Sequence, residues 1–120
     1  MTMIRYTGNG MISLPVDNLD KSERWFCETL GFATIRKLAE PPWCEMQSPA
    51  GSLTIGLAEV DRVRIGDAML TLSVEDVAAA RQSLLDKKAD VGDVVTVDGV
   101  ARVVTLLDRD GNALMLREEL

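Results

Sequence analysis

The chain has 120 residues, 47% of them hydrophobic, a net charge of -6 and no histidine. That length fits one domain able to bury a core without staples, and its scattered basic residues argue against nucleic acid or an anionic membrane as partner. Apolar runs fall far short of a membrane span. Without imidazole, any acid–base or metal chemistry must rest on carboxylates, thiols, amines or a bound cofactor.

Residues 1–8 read as a loose lead-in. Residues 11–16 alternate, with Ile12, Leu14 and Val16 on one side and Met11 and Ser13 on the other, which predicts a strand with one aliphatic face. Asn18 or Asp20 can cap the helix that follows, and Asp20 with Glu23 resembles a capping box. Ser22, Trp25, Phe26, Thr29 and Leu30 then fall at helical spacing, and Gly31 ends the helix. A strand over 32–38 stops at a turn over 39–42, because paired prolines cannot continue a ladder. Short strands follow over 43–47 and 53–58, separated by a turn over 48–51.

The order then repeats. Residues 11–19 return in altered form at 69–77, with Met, Leu and Val conserved at Met11/Met69, Leu14/Leu72 and Val16/Val74. The second copy predicts a strand over 69–74 and a helix from Asp76 to about Lys88, burying Val77, Ala80 and Leu84. Strands follow over 91–97, 101–107 and 113–117, with turns at Asp98-Gly99 and over 108–111. Each half reads strand, helix, strand, strand, strand, within a single domain: a first module over about 8–60, a polar linker over 61–67, and a second module over about 68–119. In both halves the aliphatic faces belong against the helix. The opposite faces hold Met11, Ser13, Thr54, Gly56, Met69, Thr71, Ala113 and Met115, which should line a concave side with room for a ligand.

A duplicated module of this kind resembles the vicinal oxygen chelate superfamily of glyoxalases, extradiol dioxygenases, and fosfomycin and bleomycin resistance proteins. The residues that carry the resemblance are Leu14-Pro-Val-Asp-Asn-Leu-Asp-Lys-Ser22, Trp25-Phe26, Leu30-Gly-Phe32 and the turn Asp108-Arg-Asp-Gly-Asn112. Arg109 stands where that turn usually has proline. Trp43-Cys-Glu-Met-Gln47 with Thr54-Ile-Gly-Leu57 is similar to a bacterial branch described only as glyoxalase-like. The resemblance implies an α+β fold of two tandem βαβββ modules, forming a curved mixed sheet around a concave pocket with the helices outside. It also implies a divalent metal held by histidines and carboxylates on the first and last strands of each half. Carried onto this chain, those positions are Met11, Gly56, Met69 and Met115. None is a standard ligand for a hard or borderline ion, so the expectation is no metal and no cofactor.

The remaining candidates each have two readings. The three methionines form a soft, adaptable pocket floor, or a thioether site for Cu(I). Trp43 and Glu45 share a strand face. They offer a stacking surface beside a charge, suited to an aromatic or cationic ligand, or else an edge cover and a solvated carboxylate. Trp25 and Phe26 read as core. Cys44 should face away from Trp43 and Glu45, and lacks the partner that would make it a nucleophile. Arg102 is either a carboxylate-binding rim residue or an exposed strand arginine. The aspartates of 108–111 read as turn-forming.

The functional expectation is a metal-independent small-molecule binding protein, for sequestration or sensing, with Met11, Ser13, Trp43, Glu45, Gly56, Met69, Thr71, Arg102 and Met115 toward the ligand. The alternative is an enzyme of the same superfamily with an atypical or metal-free site, using Glu45 as acid or base. A third reading is an interaction module with a vestigial pocket. By resemblance the chain forms a homodimer. Residues 1–6 lack the apolar region of a signal peptide, and Cys27 and Cys44 make no C-x-x-C, so a cytoplasmic setting with both thiols reduced is expected.

Overall fold

The structure, a computed structural model, describes residues 3, 5–7 and 10–120; half of the lead-in expected over 1–8 falls outside them. The first module runs β1 (Met11–Val16), α1 (Leu19–Leu30), β2 (Ala33–Leu38), β3 (Trp43–Gln47) and β4 (Thr54–Glu59). The second runs β5 (Leu70–Ser73), α2 (Val77–Asp86), β6 (Asp90–Val91), β7 (Val95–Val97), β8 (Ala101–Leu107) and β9 (Ala113–Glu119). The architecture is α+β with two mixed sheets, ordered β1-β4-β3-β2 and β5-β9-β8-β6, with β7 also on β8. In each module the first and last strands pair in parallel, β1 with β4 and β5 with β9. A parallel pair needs a long crossover, and the helix supplies part of it.

Both helices start on the residues that side-chain chemistry favours. Asn18 accepts from Lys21 N at 3.0 Å, so Asn18 rather than Asp20 is the cap of α1. Asp76 accepts from Ala79 N at 3.1 Å at the start of α2. A carboxylate from the end of each module's last strand adds a second cap. Glu59 Oε2 accepts from Leu19 N at 2.8 Å, and Glu118 Oε1 accepts from Val77 N at 2.9 Å. Orphan N–H groups and the positive helix end both favour an anion there. Helix α1 ends at Gly31, whose φ of 76° lets its N–H and that of Phe32 return to the Cys27 and Phe26 carbonyls.

The strand expected over 91–97 is broken into β6 and β7. Gly92 N still donates to the Thr105 carbonyl of β8 at 2.9 Å, and Arg81 of α2 holds the break that follows, donating to the Gly92 carbonyl at 2.8 Å and to Asp93 at 3.2 Å. The core lies between sheets and helices. Phe26, Cys44, Met46, Ile55 and Leu57 are fully buried in the first module, and Val77, Val104, Leu106 and Leu114 in the second. Phe26 meets Trp25 and Phe32 edge to face, at 5.0 and 5.3 Å.

Candidate functional site

Strand register places the candidate residues. In the first sheet, Ile12, Leu14, Cys44, Met46, Ile55 and Leu57 share the helix-facing side, so their neighbours take the other. One cross-strand row there reads Ser13–Gly56–Glu45–Arg36, flanked by Met11–Thr54–Gln47 and by Pro15–Ala58–Trp43–Leu38. The structure therefore brings Met11, Ser13, Trp43, Glu45 and Gly56 onto one face. Trp43 and Gly56 are in close contact. A Cβ added to Gly56 would sit 2.7 Å from Trp43 Nε1 and 3.1 Å from Cε2 and Cζ2, so the indole lies over the glycine. Glycine makes this approach possible because it presents no side chain.

Glu45 is not a free charge. Arg36 Nε lies 3.1 Å from its Oε1, and the Glu45 side chain is only 17% exposed. Sequence reading missed Arg36 because a register shift between Thr34 and Arg36 turns the strand. With regular alternation Arg36 would oppose Cys44; with the bulge it opposes Glu45, and Lys37 opposes Cys44. Lys37 consequently reaches α1, where it bonds Asp20 and Glu23.

In the second sheet, Thr71, Met115 and Thr105 form a row on the face away from α2, with Ser73–Arg117–Val103 beside it. Met69 directly precedes β5 and is 40% exposed; Met11 is 43% exposed. Arg102 is on the other face. It shares the side of Val104 and Leu106 and pairs at 3.2 Å with Glu118, the carboxylate that caps α2. It braces a helix start rather than lining the face of Met115. Arg117, on the face of Met115, is a cation that the sequence reading did not single out.

Among the described residues the two sheets share no paired strands. Met11 therefore belongs to one sheet and Met115 to the other, with Met69 just before the first strand of that second sheet. The modules meet instead through the turn after β8. Asn112 Nδ2 donates to the Pro15 carbonyl at 2.9 Å, and Asp110 Oδ1 accepts from Asp17 N at 3.0 Å. Lys87 Nζ reaches the Thr29 carbonyl at 3.3 Å. A cavity of about 410 Å³ opens between the modules on the helix side, walled by Leu30, Ala50, Leu72, Ala80 and Leu84.

Cys44 is buried on the helix-facing side, with Sγ 3.8 Å from Glu23 Oε2. Burial, reinforced by the Glu23 charge, pushes its thiol up to about 11. Neither its direction nor its protonation suits a nucleophile at the Trp43 face. Among the described residues no group of three His, Cys, Asp or Glu side chains is placed to hold a metal ion. Among the same residues no helix is long and apolar enough to cross a membrane.

Duplicated βαβββ modules with parallel outer pairs match a known family. A family model described as the Glyoxalase/Bleomycin resistance protein/Dioxygenase superfamily matches residues 8–116. The chain belongs to this superfamily. A glyoxalase/bleomycin resistance protein from Streptomyces sp. CB03234 superposes with a TM-score of 0.76 at 22% identity, over 92% of this chain and all of that one. The antibiotic-binding protein TnmS3 from the same organism gives 0.80 at 20% identity, over 97% of this chain and 100% of that one. The fosfomycin resistance protein FosX from Listeria monocytogenes, in complex with Mn(II) and sulfate, gives 0.79 at 15% identity, over 97% of this chain and 93% of that one. No curated protein matches the sequence. At these identities the solved structures speak for the superfamily fold alone. The metal that the superfamily implies does not fit this chain: thioethers and a glycine stand at the expected ligand positions, and the last-strand carboxylates Glu59 and Glu118 cap helices.

Proposed function

We propose that this protein binds a small, planar organic molecule without a metal, in a sequestering or sensing role. The observation that carries the reading is the Trp43 indole laid over Gly56, on the sheet face shared with Met11 and Ser13. An aromatic platform there, beside a flexible thioether, suits stacking of an aromatic ligand. The Arg36–Glu45 pair next to it offers both a donor fork and a carboxylate to ligand polar groups. A preference for cationic ligands is weaker than the sequence alone implied, because the Glu45 charge is already matched. For the same reason an acid–base role for Glu45 is not favoured. The antibiotic-binding character of TnmS3 is consistent with this reading.

The face is open in one chain, with Met11, Leu38 and Met69 exposed. A homodimer of these two-module domains, set in the cytoplasm with Cys27 and Cys44 reduced, is part of the proposal; a second copy covers the open faces. The test is a fluorescence titration of a Trp25→Phe variant, in which Trp43 is the sole reporter, against a panel of planar aromatic antibiotics and metabolites. Saturable quenching is the expected result, with the heat of binding by titration calorimetry lost in Trp43→Ala. A flat response across the panel overturns the reading. Light scattering at micromolar concentration checks the dimer, and a monomeric mass overturns that part.

A further inference from the structure

A second depression, on the outer surface of α1, gathers cations. Its cavity of about 330 Å³ is lined by Lys21, Arg24, Trp25, Glu28 and Arg109. The first four fall at helical spacing along one stripe of α1. Arg109 arrives from the turn after β8, in the other module. That turn is held against the start of α1 by Asp110, which accepts from Asp17 N at 3.0 Å. Arg109 Nη1 itself donates to Asp17 Oδ1 at 3.0 Å and to Ser22 Oγ at 3.4 Å, across 92 and 87 residues of sequence.

Charge and shape agree on a ligand. Three cations and one carboxylate line the depression, in a chain whose net charge is -6. Among the described residues the Lys21 and Arg24 side chains make no hydrogen bond or ion pair, and only Nη1 of the Arg109 fork is engaged. Arginine presents five donors in a planar array matched to carboxylate and phosphate oxygens. Trp25 is half-buried, fixed edge to face on Phe26 at 5.0 Å, and still contributes to the cavity wall. The sequence reading assigned Trp25 wholly to the core; the structure leaves part of it on this surface.

We propose that this depression binds a small planar aromatic anion, an aryl phosphate or aryl carboxylate. The ring stacks on Trp25, and the anionic group is held by Lys21, Arg24 and Arg109. Arg109, which stands where the superfamily turn usually has proline, is the residue that closes the cation ring. This site is on the opposite side of the first module from Trp43 and does not depend on what binds there.

The test uses a Trp43→Phe variant, so that Trp25 is the sole tryptophan, excited selectively over Tyr6. It is titrated with phenyl phosphate, with benzoate and with inorganic phosphate. Saturable quenching by one of the aryl anions is expected, and the stronger of the two identifies the anionic group. Inorganic phosphate should compete at least about tenfold more weakly, since it lacks the stacking ring. Lys21→Gln with Arg24→Gln, both on exposed side chains, should weaken aryl-anion binding by about tenfold or more. Absence of saturable quenching by either aryl anion at millimolar concentration overturns the proposal. So does an affinity unchanged in the double variant. Equal affinity for inorganic phosphate overturns the aromatic part.

Discussion

The Asn112 side chain donates to the Pro15 carbonyl at 2.9 Å, tying the turn after β8 to the end of β1 in the other module. Asn112 is buried, and Asp108 holds it through two further bonds, from Asn112 N to Oδ1 and from Asn112 Nδ2 to Oδ2, each 2.8 Å. Removing the amide leaves the part-buried Pro15 carbonyl and Asp108 Oδ2 without their donor, while Asp108 Oδ1 keeps the backbone N–H groups of Asp110 and Asn112. Asn112→Ala should therefore cost about 1–3 kcal/mol, more than an average exposed hydrogen bond. A urea denaturation series checks this, and a midpoint within error of the natural chain would mean that the modules are held by something else.

The turn Asp108-Arg-Asp-Gly-Asn112 was legible as a turn, but not as the joint between modules. Asp108 Oδ1 accepts from Asp110 N and Asn112 N, which is local and follows from residue type. The reach to Pro15 and Asp17 depends on how the two modules pack, which no local pattern encodes. The repeat at Met11 and Met69 was enough to place both helices with their caps, since Asn18, Asp76 and Gly31 act through bonds within a few residues. The Trp43–Glu45 face followed from simple alternation. Arg36 was hidden because one bulge in β2 reverses the alternation after Thr34. Arg102 is an exposed strand arginine, as one of its two readings had it, and its pairing with Glu118 on the α2 side was not legible because it depends on where β9 ends.

Cysteine reactivity gives a direct check on the helix-facing side of β3. With its thiol pushed up to about 11, Cys44 carries roughly one thiolate per thousand molecules at about pH 8. It is also fully buried, whereas Cys27 is only half-buried. Brief labelling of the native protein with an alkylating reagent, read by mass spectrometry, should modify Cys27 first. Cys44 should react only when denaturant opens the core. Equal rates in the native state would show that β3 is not covered by α1.

Lys37 controls part of the acid stability. It bonds Asp20 and Glu23, and holds both carboxyls below their ordinary values of 3.8 and 4.5; Thr34 adds a 2.6 Å bond to Glu23. A carboxyl lowered in the folded state contributes stability that is complete above its unfolded pKa and is lost as pH falls through the folded one. The window therefore lies below about pH 4.5. Asp110 carries the opposite sign, because burial raises it, so its contribution is lost as pH rises. That effect is common to both proteins when Lys37→Met is compared with the natural chain. The expected result is a steeper acid loss of urea midpoint in the natural chain than in Lys37→Met. Parallel acid limbs would remove Lys37 from the account.

Gly56 decides whether the Trp43 platform exists. An alanine methyl there would meet Trp43 Nε1 at 2.7 Å, and the ring must move, since nothing about the Gly56 backbone conformation bars a side chain. Gly31 is the useful contrast. Its φ of 76° strains any other residue, yet a methyl there meets open space. Gly31→Ala should lose about 1 kcal/mol of stability through backbone strain, with Trp43 emission unchanged. Gly56→Ala should displace the indole, red-shift Trp43 emission in the Trp25→Phe background, and weaken binding of any stacking ligand, for a stability cost of about 1–3 kcal/mol from overpacking. The pair of variants separates a platform from a merely tight packing contact. If Gly56→Ala loses stability while Trp43 emission and ligand affinity stay as they were, the indole does not serve as the binding surface, and the ligand must be sought on the β5–β9 face around Thr71 and Met115.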